Sequence, residues 1–99
     1  MKREITFGGR SALLSAGEHR AMLTVYESTD STLPVGLADE INEAGDITVT
    51  EVFRAGNDTA LRMVHDLTPS DVLGVVCEAI GKVYDADTAV SYARPENAV

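Results

Sequence analysis

The sequence predicts an α+β fold: a two-layer sandwich in which a mostly antiparallel sheet of about four to five strands carries one short and one longer helix. Three observations lead there. Segments with alternating apolar and polar residues, rich in β-branched and aromatic side chains, recur at 20–27, 47–54 and 59–66. The last two are joined by Ala55-Gly56-Asn57-Asp58, a turn sequence of hairpin length. Thr68-Pro69-Ser70-Asp71 then opens a stretch whose apolar residues recur at helical spacing.

Taken in order, Arg3-Glu4-Ile5-Thr6-Phe7 reads as a short strand ending at the turn-forming pair Gly8-Gly9. Ser11 to Ser15 is a second strand candidate that stops near Gly17, and 20–27 follows, with Leu23 and Val25 alternating against Met22, Thr24 and Tyr26. Ser28 to Thr32 is polar and forms a loop. Pro34 suits a first helical turn, Leu37, Ile41 and Ala44 fall at helical spacing, and Gly45 supplies a stop, giving a helix over about 35–44. In the strand 47–54, Ile47, Val49 and Phe53 share a face on which Glu51 breaks the apolar stripe. The return strand 59–66 sets Leu61, Met63 and His65 against Arg62, Val64 and Asp66. Thr68 as cap, Pro69 in the first turn and Asp71 at the positive end of the dipole start a helix over about 69–84. Its stripe is Val72, Leu73, Val76, Ile80 and Val83, while Gly74 and Gly81 weaken it and let it lie close to a sheet. Segment 88–93 fits either strand or helix.

Ninety-nine residues with 44% hydrophobic content match one domain with one core, expected over 1–94 with 95–99 as a loose tail. The lone Cys77 forms no intramolecular disulfide, which points to a reducing, cytoplasmic setting. No hydrophobic stretch approaches the roughly 18 residues of a membrane span, and the basic start Met1-Lys2-Arg3 leads into no apolar run, so no membrane association is expected. With only Lys2 and Lys82 as lysines and an acidic, Ala/Val/Thr-rich composition, the chain suits a prokaryotic or phage source with a GC-rich genome or a salt-adapted host.

The enzymatic templates fail on their residues. Gly8-Gly9-Arg10-Ser11 lacks the Lys-Ser/Thr ending of a phosphate-binding loop. His65 sits beside Asp66, a pairing that could poise a base, but no nucleophile accompanies it in sequence, and packing is the better reading. Cys77, next to Glu78 in the apolar stripe, reads as a core residue rather than a reactive thiol. Asp85, Asp87 and Glu96 match positions one, three and twelve of a calcium loop, but Val90 stands where the sharp turn needs Gly. No catalytic residue, metal ligand or cofactor is expected.

Charge is the most informative bulk property. The formal net charge is −8, which disfavours direct nucleic-acid binding because that affinity rests on cations meeting phosphates. The charge is also uneven: residues 21–53 carry Glu27, Asp30, Asp39, Glu40, Glu43, Asp46 and Glu51 with no Lys or Arg. On a helix over 35–44, Leu37 and Ile41 turn inward, so Asp39, Glu40 and Glu43 project outward and Asp46 follows the C-terminus. Asp39 and Glu43 repel at i,i+4, and Asp46 opposes the dipole. A solvated face serving solubility or salt tolerance is the simpler reading of this charge, and a docking surface for a basic partner is the functional one.

In size and composition the chain is similar to small phage-encoded inhibitors such as anti-CRISPR proteins, with no motif shared. The expectation is therefore a non-enzymatic protein-binding module that docks a basic partner surface, an inhibitor of a nucleic-acid-handling complex being the sharper form, through Asp39, Glu40, Glu43, Asp46, Glu27 and Asp30. One alternative is a structural or assembly subunit, such as a virion component, with a homodimer among the states the sequence allows. Another is a small regulator with a degenerate helix-turn-helix at 70–94, its second helix formed by Thr88 to Tyr92.

Overall fold

The computed structural model describes residues 1–7, 10–26, 33–83 and 90–92. Its elements are β1 (Lys2–Phe7), β2 (Arg10–Ala16), β3 (Arg20–Val25), α1 (Leu33–Glu43), β4 (Ile47–Ala55), β5 (Asp58–His65), α2 (Pro69–Val83) and β6 (Val90–Tyr92). The strands form one antiparallel sheet in the order β4-β5-β3-β2-β1-β6, in which β6 contributes only three residues at the edge. The α+β class and the two helices agree with the sequence reading. The expected tail at 95–99, the Gly8-Gly9 turn, Glu27, Asp30 and the calcium-like carboxylates Asp85, Asp87 and Glu96 lie outside the described residues.

Local chemistry accounts for the connections. Phe7 pairs with Arg10 across the Gly8-Gly9 position, and the β2–β3 hairpin closes by a bond from Gly17 N–H to the carbonyl of Arg20 (2.8 Å). Ala55 pairs with Asp58, so β4 and β5 are joined by Gly56-Asn57, with Gly56 at φ 64°, a left-handed value that a side chain strains. Helix α1 ends on Gly45 at φ 86°, whose N–H bonds the carbonyl of Asn42 (3.1 Å). Helix α2 starts as a capped helix: the Thr68 hydroxyl oxygen accepts from Asp71 N–H (3.3 Å) and donates to the Asp71 carboxylate (2.6 Å).

Strand β5 is antiparallel to both β3 and β4, so β3 and β4 run in the same direction. They cannot be joined by a tight hairpin and need a crossover, which α1 provides. The chain of antiparallel pairings likewise makes β5 and β6 co-directional, and α2 carries the chain from one side of the sheet to the other. Helix α1 packs on β4 and β5, α2 on β2 and β6, and the two helices on each other. An added Cβ at Gly36 would lie 3.9 Å from Val83 Cγ1, so the first turns of α1 meet the end of α2.

Burial is one-sided. Ile5, Ala12, Leu14, Ala16, Ala21, Leu23, Val25, Ile47, Leu61 and Met63 face the helices and meet Leu37 and Ile41 of α1 and Val72, Val76 and Ile80 of α2. Cys77 is buried in the same core. On β5, the inward alternation of Leu61, Met63 and His65 is as expected.

Three expectations need correction. Strand β4 does not keep Ile47, Val49 and Phe53 on one face, because its register shifts between Val49 and Glu51, leaving Thr50 as the extra residue of a β-bulge. Beyond the bulge, Glu51 pairs with the exposed Arg62 and Val52 with the buried Leu61, so Glu51 and Phe53 turn to the open face. The Thr50 hydroxyl donates to the Arg62 carbonyl (3.2 Å). The second helix of the helix-turn-helix alternative is absent at 90–92, where Val90–Tyr92 is strand β6 hydrogen-bonded to β1. Gly74 and Gly81 show no close approach to the sheet: both are exposed, and no described residue lies within 4 Å of a Cβ added to either.

Gly74→Ala and Gly81→Ala should therefore each raise stability by about 0.5–1 kcal/mol through helix propensity alone, read as a higher denaturant midpoint. Thr68→Ala should lower it by about 1 kcal/mol through loss of the cap. A destabilising Gly74→Ala would show that this face of α2 is covered.

Candidate functional site

Helix α1 buries Leu37, Ala38 and Ile41, which turns Asp39 and Glu43 to solvent one helical turn apart, with Glu40 half-buried on the flank. No hydrogen bond or ion pair to the side chains of Asp39, Glu40 or Glu43 occurs among the described residues; the ion pairs His19–Asp66 and Arg62–Glu51 lie elsewhere. The last turn of α1 contains no basic residue, so Glu43 meets the negative end of the helix dipole unrelieved.

Asp46 lies past Gly45 and borders a cleft at the end of the sheet with His19, Arg20, Thr48, Val64 and Asp66. There the imidazole of His19 is 3.8 Å from the Asp66 carboxylate, and both side chains are well exposed. Of the six carboxylates expected to act together, Asp39, Glu40 and Glu43 lie on α1 and Asp46 borders the end cleft, while Glu27 and Asp30 lie outside the described residues.

Asp66 pairs with His19, and His65 points into the core, 6% exposed. His65 Nδ1 accepts a hydrogen bond from Leu67 N–H (3.1 Å), which places the ring proton on Nε2. That Nε2 is buried without a partner among the described residues, as is Thr59 Oγ1 at the other end of β5. Among the described residues no three His, Cys, Asp or Glu side chains are arranged to hold a metal ion. No helix there is long and apolar enough to cross a membrane.

Two features went unread in the sequence. Asn42, on the same helix, reaches down to β4, where its Oδ1 accepts from Val49 N–H (2.7 Å). β4 is an edge strand, and an unpaired edge amide invites a foreign strand, so Asn42 and the Thr50 bulge together blunt that edge. The second feature is the uncovered sheet face. It exposes Tyr26 (38%) and Val64 (42%) beside half-buried Leu13, Met22 and Phe53, with the Arg62 guanidinium 5.7 Å from the Phe53 ring centroid. The signal in the sequence was apolar residues occupying the phase of the strands that polar residues were expected to fill.

No protein-family model, curated protein or solved structure matches this chain.

Asn42→Ala should leave the fold intact, cost at most about 1 kcal/mol, and speed hydrogen exchange at the Val49 amide while β5 amides stay unchanged. Unchanged exchange at Val49 would show that Asn42 does not guard the edge.

Proposed function

We propose that this protein is a non-enzymatic protein-binding module whose α1 face docks a basic surface on its partner. The observation that carries the reading is the outward pair Asp39 and Glu43, without a cation among the described residues to offset it, in a stretch of 33 residues (21–53) devoid of Lys and Arg. These charges are locally unfavourable, by a few tenths of a kcal/mol for the i,i+4 repulsion and about 0.3–1 kcal/mol for an acid at a helix C-terminus. A partner that supplies cations relieves both terms on binding, and the long-range attraction speeds encounter at low salt.

The sharper form is an inhibitor of a nucleic-acid-handling complex. Grooves built for phosphate are the surfaces richest in uncompensated Lys and Arg, and a rigid acidic helix competes there with nucleic acid. A cytoplasmic setting accords with a single buried cysteine, Cys77.

The test neutralises Asp39→Asn, Glu40→Gln and Glu43→Gln together and compares binding of host-extract proteins with wild type at low and high salt. Basic proteins should be retained by wild type at low salt and released at high salt, and the triple variant should bind them about tenfold or more weakly. Its melting temperature should be unchanged or higher, because helix repulsion is removed. Equal retention of the same proteins by wild type and variant at low salt would refute the assignment.

A further inference from the structure

We propose that the open face of the sheet is where two copies of this chain associate, sheet against sheet, with both helix layers facing outward. The rows of the sheet follow from its pairing register. Lys2, Ser15, Met22, Arg62 and Glu51 form one row across β1, β2, β3, β5 and β4, and Glu4, Leu13, Thr24, Ala60 and Phe53 form the next. Leu13, Met22 and Val64 are diagonal neighbours from β2 to β5, an apolar track through the middle of the face, close enough to act as one surface. A shallow groove bounded by Ser15, Arg20, Met22, Arg62 and Val64 follows it.

Charge selects the occupant. Among the described residues the face carries Lys2, Arg20 and Arg62 against Glu4, Glu51 and Asp58, with Asp46 and Asp66 at its end beside Arg20, so it mixes both signs where the α1 face is acidic alone. Two copies repel through their α1 faces but not through this one. One two-fold arrangement sets unlike groups against each other on β1 and β3, while it places Val64 opposite the other copy's Asp58 and Glu51 opposite its Phe53. A two-fold axis crossing the strands between the Lys2 row and the Glu4 row brings each Lys2 near the other copy's Glu4. The same axis brings each Arg20 near the other copy's Tyr26, a cation beside an aromatic ring.

Area and edges agree. The molecule measures 31 × 30 × 28 Å, so a whole flank presents a surface near the roughly 800 Å² per partner of a standard interface. Aligned sheets pack about 10 Å apart and within about 30° of each other, a spacing that half-exposed Leu, Met, Val and Phe side chains can fill. Pairing through the β4 edge is disfavoured by the Thr50 bulge and by Asn42 on the Val49 amide.

Sedimentation equilibrium of the full chain from micromolar to millimolar concentration tests this. The expected result is a rise from 10.5 kDa to twice that mass with concentration. Val64→Glu, and separately Met22→Lys, should raise the dimer dissociation constant at least about 30-fold by placing a charge on the apolar track. Both variants should keep the wild-type circular dichroism spectrum, since Val64 is exposed and Met22 half-exposed. The Asp39/Glu40/Glu43 triple variant should dimerise as wild type does, which separates this proposal from the partner-binding reading. A 10.5 kDa species at every concentration, a dimer indifferent to both sheet-face variants when folded, or a dimer lost in the α1 triple variant would each overturn it.

Discussion

The fold hangs on the pairing of β3 with β5. Six residue pairs from Arg20↔Val64 to Val25↔Thr59 join the N-terminal three-stranded meander to the later β4–β5 hairpin, and Leu23 faces Leu61 at its centre with neither exposed. Without this seam the sheet falls into a four-stranded piece and the β4–β5 hairpin, and an isolated two-stranded hairpin is at best marginal in water. With it, Ala21, Leu23, Val25, Leu61 and Met63 join the residues of both helices in one continuous core. The seam joins residues distant in sequence, so it forms against loop-closure entropy and depends on the helices to complete it.

From the seam follows the asymmetry that matters for function. Alternation along each strand sends one set of side chains to the helix layer and the other to the open face, and the register aligns both sets across the sheet. The helix layer takes nearly all of the large aliphatic residues. Its outer surface is then free to be polar, and on α1 it is acidic without compensation. The open face retains Leu13, Met22, Phe53 and Val64 among charges of both signs. One molecule thus has two unlike surfaces on opposite sides, and association through the sheet would display two acidic helices pointing away from each other, a bivalent arrangement.

Much of this was legible in the sequence where the signal is local. The Gly56-Asn57 hairpin, the Thr68-Pro69-Asp71 helix start, the Gly45 stop and the inward phase of Leu61, Met63 and His65 each depend on a few neighbouring residues and stand as expected. The rest depends on partners far along the chain. Strand order could not be read, because inserting β5 between β3 and β4 is decided by what α1 crosses and buries. The bulge at Thr50 left only the trace of Glu51 interrupting a stripe, which reads equally well as an imperfect strand. Gly74 and Gly81 suggested close packing but face solvent, and Asn42 looked like one more polar residue of a helix although it guards an edge amide. Of the candidate site, the outward direction of Asp39 and Glu43 was readable from Leu37 and Ile41. The position of Asp46 at the border of the end cleft was not, since it follows from the left-handed turn at Gly45.

Amide hydrogen exchange across the whole chain tests the central seam most directly. Amides of β3 and β5 that bond to each other should be the last to exchange, opening only with global unfolding, while the outward amides of β4 exchange sooner. Exchange of the β3–β5 amides ahead of those within the β1–β2 or β4–β5 hairpins would mean that the two halves hold themselves together independently, and that the seam is not what the fold rests on.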